Sequence, residues 1–237
     1  MTASPHERPS AVLPLVARAW RLLGCLALAA VPVLAAGLVA TLDSGATAPG
    51  EELPARVALT RNGLVLEGRI TPATLPRFAA VLAAAVLLDP DGRTVLELDS
   101  HGGNLDAALL MRRLVLLAGR LTGIETRVGA GRSCQSACVV LFAAAPERAA
   151  AASALFMFHA PTFAGEADPG FASRIAVTAE GSYLRALAAA DPHLVRALEA
   201  GGVFDSAEPR FATARELVAG GWRLVTRLEG ESRREGG

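Results

Sequence analysis

From Leu22 to Leu42 the chain runs for 21 residues with no charged side chain and a single proline, Pro32. About 20 apolar residues suffice for a helix to cross a bilayer, so this run divides the chain into a short leading tail and a long remainder. Arg8, Arg18 and Arg21 precede it against one acid, Glu7, while Asp43, Glu51 and Glu52 follow it. Positive charge stays on the cytoplasmic side. The pattern predicts a cytoplasmic tail over 1–21, a transmembrane anchor over 22–42 and export of everything beyond. A cleaved signal peptide would carry an apolar core of about 7 to 15 residues; this run is longer, and Leu38-Val39-Ala40 is a poor cleavage site. Leu23-Gly24-Cys25 looks like a lipoprotein box but sits ahead of the apolar run, so Cys25 reads as a small membrane-buried residue.

The 237 residues suit one domain of about 150 to 200 residues plus a short extra element. Hydrophobic residues make up 52% and charged ones 19%, with 23 basic and 23 acidic side chains. That balance excludes general disorder and a nucleic-acid-binding surface, which needs a basic excess. All the basic residues are Arg. Without Lys there is no Walker phosphate loop, no Schiff base and no Ser-Lys dyad. Three Cys make no disulfide-rich scaffold, and four scattered His do not suggest a zinc site. His6 falls in the tail and His193 in the first turn of a helix, where it reads as solvated. The abundance of Ala predicts a wide core thinly filled by each side chain.

A Gly-, Pro- and Ala-rich stretch over 43–54 reads as a linker. The folded part is expected over 55–228, with a disordered, Arg-bearing tail over 229–237. Val57-Ala58-Leu59 and Leu64-Val65-Leu66, split by Asn62-Gly63, read as a strand, a tight turn and a strand. Thr71-Pro72 can open a helix running to about Leu88. A buried strand at Thr94–Leu98, a helix at Leu105–Leu117, a strand at Ile124–Val128, an apolar stretch at Ala137–Ala145 and a strand at Leu155–Phe158 follow. Helices fit Ser173–Ala190, Asp191–Ala200 and Thr213–Ala219. Strands alternating with helices predict an α/β fold with a mainly parallel sheet.

Chemistry could reside in three places. Asp99-Ser100-His101-Gly102-Gly103-Asn104 follows a strand and precedes a helix, and its paired glycines let backbone N–H groups approach a ligand. Cys134-Gln135-Ser136-Ala137-Cys138 lies at another loop-to-helix junction, where a serine could present its hydroxyl while the next N–H joins an oxyanion hole. His159 ends the strand Leu155–Phe158. Taken singly, each has a plainer reading as a turn, a helix cap or a structural histidine.

In order and spacing, however, the three segments resemble the Clp protease proteolytic subunit and the wider ClpP/crotonase superfamily. The family's Ser-Pro-Gly-Gly run corresponds to Ser100-His101-Gly102-Gly103, which implies Gly103 as an oxyanion donor. Its nucleophile corresponds to Ser136, with Ala137 as the second donor, and its general base corresponds to His159 in Phe156-Met157-Phe158-His159-Ala160-Pro161. The likeness extends over Leu64–Ile70 and Arg210–Leu217, covering roughly 60–228. It implies a spiral of ββα units preceded by the anchor.

Pro209 stands where the family has the aspartate of its triad. Asp205 and Glu208 are the nearby candidates for a third member. The segment from Thr162 to Gly170 and the helix after it replace the family's long handle, so a double ring is not expected. Cys134 and Cys138 bracket the serine as in exported, membrane-anchored relatives. An oxidising compartment permits a disulfide between them, the alternative being two buried free thiols. On a regular helix the pair would be too far apart, so the bond requires Cys134 before the helix and Cys138 in its first turn.

Two functions follow from the resemblance. One is a serine hydrolase, a peptidase facing the periplasm from a bacterial inner membrane, with Ser136 as nucleophile and His159 as base. The other is a silent member of the fold serving as a scaffold or peptide-binding module. Neither calls for a cofactor, a metal or nucleic acid. A homo-oligomer is compatible with both, and an ATPase partner is not expected outside the cytoplasm.

Overall fold

Arg61 and Asn62 form a two-residue turn between β1 (Arg56–Thr60) and β2 (Gly63–Glu67), which pair antiparallel. Gly63 opens β2 with a φ of 148°, and a Cβ there would lie 2.2 Å from the Val95 carbonyl oxygen. Only glycine lets β2 approach β3 (Arg93–Asp99) so closely. The computed structural model describes residues 53–88, 92–161, 169–205 and 208–230, with backbone alone over 169–176. The expected tail 1–21 and anchor 22–42 lie outside the described residues, as does most of the linker. No helix among the described residues is long and apolar enough to cross a membrane.

The chain alternates strands and helices as expected. After β2 come α1 (Thr74–Leu88), β3, α2 (Leu105–Ala118), β4 (Gly123–Val128), β5 (Ser133–Gln135) and α3 (Ala137–Phe142). Next are β6 (Glu147–Ala151), β7 (Leu155–Phe158), α4 (Pro169–Ala188), α5 (Pro192–Ala200), β8 (Arg210–Thr213), α6 (Ala214–Ala219) and β9 (Arg227–Glu229). The large sheet has the order β1-β2-β3-β4-β6-β9, parallel except for the first pair. The small sheet is β5-β7-β8. Helix α1 starts later than Thr71-Pro72 suggests. Thr71 instead forms a lead-in turn, its N–H donating to Thr74 Oγ1 at 3.1 Å. Glu229, expected in the tail, belongs to β9.

One face of the large sheet makes the core. Leu64, Leu66, Leu96, Leu98, Ile124 and Val128 are buried there with Phe78, Leu82 and Val86 of α1 and Met111 and Val115 of α2. Helix α1 packs on β1, β2 and α2, and α2 packs on α3. All six residues of α3 are buried. Alternation puts charge on the opposite face. Glu125, its side chain only 3% exposed, accepts from Arg127 at 2.9 Å, Arg227 at 2.8 Å and Arg93 at 3.2 Å. Arg93 also bonds Glu147.

The C-terminal segment is tied down by buried polar groups. The Arg148 guanidinium donates to the carbonyls of Leu224 and Ala145 at 2.7 Å and of Arg223 at 2.8 Å. Asp191 caps α5 through the N–H groups of His193 and Leu194 and also accepts from Arg223 N–H.

Burial pushes the Glu125 carboxyl up, but its bonds to Arg127 and Arg93 and the charges of Arg227 and Arg127 outweigh it and hold the group below the ordinary value. A depressed carboxyl contributes stability above its unfolded pKa, about 4.3, and loses it as pH falls through the folded value. Glu125→Gln should therefore be less stable than the native chain at pH 7, and the gap should narrow as chemical denaturation is repeated from pH 5 down to pH 3. A gap independent of pH would show that the ion cluster does not act through this charge.

Candidate active site

The strand β3 does not stop at Asp99. Ser100 bridges to Cys134, with Ser100 N–H donating to the Ser133 carbonyl at 2.8 Å and Gln135 N–H to the Ser100 carbonyl at 2.9 Å. The buried Ser100 hydroxyl donates to the Gly68 carbonyl at 2.6 Å and accepts from Gly102 N–H at 3.1 Å. Ile70 N–H donates to the Gly102 carbonyl at 2.7 Å and Asn104 N–H to the Ile70 carbonyl at 2.8 Å. In such a parallel bridge the Gly103 N–H points away from Ile70. Asn104 then caps α2, accepting from Ala107 N–H at 2.8 Å.

Both glycines are required by this turn. Gly102 has a φ of 86°, and a Cβ on it would meet the Gln135 carbonyl oxygen at 2.6 Å and Ser136 Cβ at 2.8 Å. A Cβ on Gly103 would lie 2.2 Å from the Ile70 carbonyl oxygen. The bare backbone of this turn is thus pressed against the start of α3.

At that start stands Ser136, with φ 52° and ψ −123°. Among the described residues it alone has a positive φ without being glycine. Such a conformation costs about 1–3 kcal/mol and persists only where the surroundings enforce it. Ser136 N–H donates to the Met157 carbonyl at 2.8 Å, and the Ser136 carbonyl accepts Val139 N–H at 2.9 Å. Its side chain does not cap the helix. Ser136 Oγ instead lies 2.7 Å from His159 Nε2. Ala137 follows as the first residue of α3, where an N–H has no intrahelical acceptor.

His159 leaves the end of β7 half-buried. Its Nδ1 lies 2.6 Å from the Ala160 carbonyl oxygen. A carbonyl can only accept, so Nδ1 carries the proton, and Nε2 is left bare to accept the Ser136 hydroxyl. This is the tautomer a serine nucleophile needs.

The structure therefore brings together Ser136, Ala137 and His159 with the Gly102-Gly103 turn. It places Asp205 in the turn after α5 and Glu208 ahead of β8, both exposed, and His159 Nδ1 is bonded to neither. Cys134 and Cys138 are joined by a disulfide, with Cα atoms 5.2 Å apart. Cys134 sits in β5, where the geometric argument required only that it precede the helix, and Cys138 lies in the first turn of α3.

Two contributors escaped the sequence reading. The Ala160 carbonyl carries no side-chain signal. Its one trace is Pro161, which holds the preceding residue in extended conformation. Arg132 pairs with Asp99 at 2.6 Å, while the other oxygen of Asp99 accepts Ser133 N–H at 3.0 Å. Together they dock the start of β5 on β3. Against protein-family models and against curated proteins the chain has no match, so the chemistry rests on this geometry.

The tautomer is open to direct measurement. With His labelled in nitrogen-15, His159 at pH 8 should show a protonated Nδ1 and a bare Nε2, and Ser136→Ala should perturb the Nε2 resonance. A protonated Nε2 in the native chain would overturn the assignment.

Proposed function

We propose that this chain is a serine hydrolase of ClpP/crotonase-like fold, acting on peptide bonds. The observation that carries the reading is the 2.7 Å bond between Ser136 Oγ and His159 Nε2 on a left-handed elbow. In this mechanism His159 Nε2 takes the hydroxyl proton as Ser136 Oγ attacks the substrate carbonyl carbon. The Gly103 and Ala137 N–H groups hold the developing oxyanion, a role in which a single donor contributes a factor of about 10² to 10³ in rate. The imidazolium then returns its proton to the leaving amine, and a water deacylates Ser136 by the same route. The Ala160 carbonyl keeps the imidazole in register throughout. It is a weaker partner for the imidazolium than a carboxylate, which suits a slower enzyme.

The mostly parallel sheet and the small three-stranded sheet carrying β5 and β7 support the spiral fold of that superfamily. The apolar run 22–42, with its flanking charges, supports an anchor that leaves the catalytic domain outside the cytoplasm, where an ATPase partner is not expected. Pro209, in the place of an acid, favours a second reading as a silent scaffold or peptide-binding member.

One labelling experiment separates the two. A fluorophosphonate probe should modify Ser136 in the native chain. Ser136→Ala and His159→Ala should each lower peptide hydrolysis by at least about 10³-fold, with the double variant no worse than either, because the two side chains act as a unit. Hydrolysis that survives Ser136→Ala would sink the mechanism, and an unreactive Ser136 in a folded chain would favour the scaffold.

A further inference from the structure

Helix α3 is only six residues long, and a helix of that length is not self-sustaining. Its first turn is the part that must be fixed, because Ser136 enters it in a strained conformation and Ala137 presents its N–H there. A helix start is ordinarily fixed by an N-cap side chain. Ser136 occupies that position, yet its hydroxyl is engaged with His159 and makes no cap bond. A serine cannot serve as both cap and nucleophile with one side chain. The conflict leaves the start of α3 without its usual fastening.

Cys134 and Cys138 stand on either side of this gap. Cys134 is held in β5, paired in parallel with Phe156 of β7 and bridged to Ser100. Cys138 is the second residue of α3. Both are fully buried, and their bond closes a ring of backbone around Ser136. We infer that the Cys134–Cys138 disulfide replaces the missing N-cap and positions the nucleophile, so that hydrolysis reaches its full rate only in the oxidised protein. This rests on the serine-hydrolase reading. The cysteines are positioning residues and touch no substrate. Reduction by a small dithiol passes two electrons and two protons to the pair, giving two thiols and the oxidised cyclic disulfide of the reagent. The first turn of α3 is then free to relax Ser136 out of its positive φ, withdrawing Oγ and the Ala137 N–H together.

The test uses the full-length chain. Cys134→Ala/Cys138→Ala should react with the fluorophosphonate about 10- to 100-fold more slowly, a loss of the size that small misplacements of reacting groups cause. Peptide hydrolysis should lose kcat by the same factor with KM unchanged, while the far-ultraviolet circular dichroism and the bulk of thermal stability remain. A staple with a merely structural role would lower the melting temperature and leave the labelling rate of the folded protein intact. If the double variant does not fold, native protein is reduced until mass spectrometry of an alkylated aliquot shows both cysteines free, and the unalkylated remainder is labelled. Labelling should then fall by the same factor and return on reoxidation. Native-rate labelling in the variant or in fully reduced protein overturns the inference and leaves the hydrolase reading standing. Failure of the oxidised native chain to label at all overturns that reading, and the inference with it.

Discussion

The positive φ of Ser136 is the constraint on which the rest of the site depends. A non-glycine residue in that conformation carries strain of about 1–3 kcal/mol, and a single net hydrogen bond contributes about 0.5–1.5 kcal/mol. One bond does not hold it, so several must act together. The Met157 carbonyl takes the Ser136 N–H, the Ser136 carbonyl takes Val139 N–H, and the Gly102 backbone lies directly against Gln135 and Ser136. Each requires something of the sequence. Glycine is needed at 102 because a Cβ would overlap Gln135 and Ser136. A wholly apolar α3 is needed because all six residues are buried.

Among the described residues, the group that orients the other half of the pair is a backbone carbonyl and not an acid. In a serine protease the loss of the aspartate costs about 10⁴ in rate, because the imidazole takes the wrong tautomer. The Ala160 carbonyl avoids that particular loss, since it accepts from Nδ1 and cannot donate to it. What it lacks is negative charge to stabilise the imidazolium. A site built this way keeps its geometry and gives up part of the electrostatics. Pro209 is therefore compatible with a working site, in which the Ala160 carbonyl, ahead of a proline that disfavours the helical conformation there, stands where an orienting carboxylate stands elsewhere.

How far the sequence could be read follows from the same physics. Strands β2, β3, β4 and β7 were legible because runs such as Val95-Leu96 and Phe156-Met157-Phe158 fit a pleated, buried surface. Glu147–Ala151 was not, since three consecutive alanines favour a helix in isolation. It becomes a strand because Ala149 and Ala150 fit the tight space between β4 and β9, a tertiary preference with no local signal. Strands β5 and β9, three residues each, owe their pairing to their neighbours in the same way. Ser136, His159 and the glycine pair could be picked out only through their order along the chain. The Ala160 carbonyl could not, because every residue has a carbonyl and only the fold selects one.

The charged face of the large sheet and the elbow on its C-terminal side are joined through Asp99. One carboxylate oxygen accepts Ser133 N–H, and the other pairs with Arg132, which also reaches Glu67. Arg132 is half exposed, and surface ion pairs of that kind contribute about 0–1 kcal/mol. The bond from a charged oxygen to a backbone N–H is the stronger element, roughly twice a neutral one. Arg132 therefore aims the carboxylate more than it binds. The carboxylate takes the N–H of the first residue of β5, and Ser100 bonds that residue's carbonyl and the N–H of the third. Ser136 is the next residue in the chain. A strand this short transmits the register of β3 to Ser136 because its first and last residues are bonded to Asp99 and Ser100, which explains how the site can rest on the smallest elements of the fold.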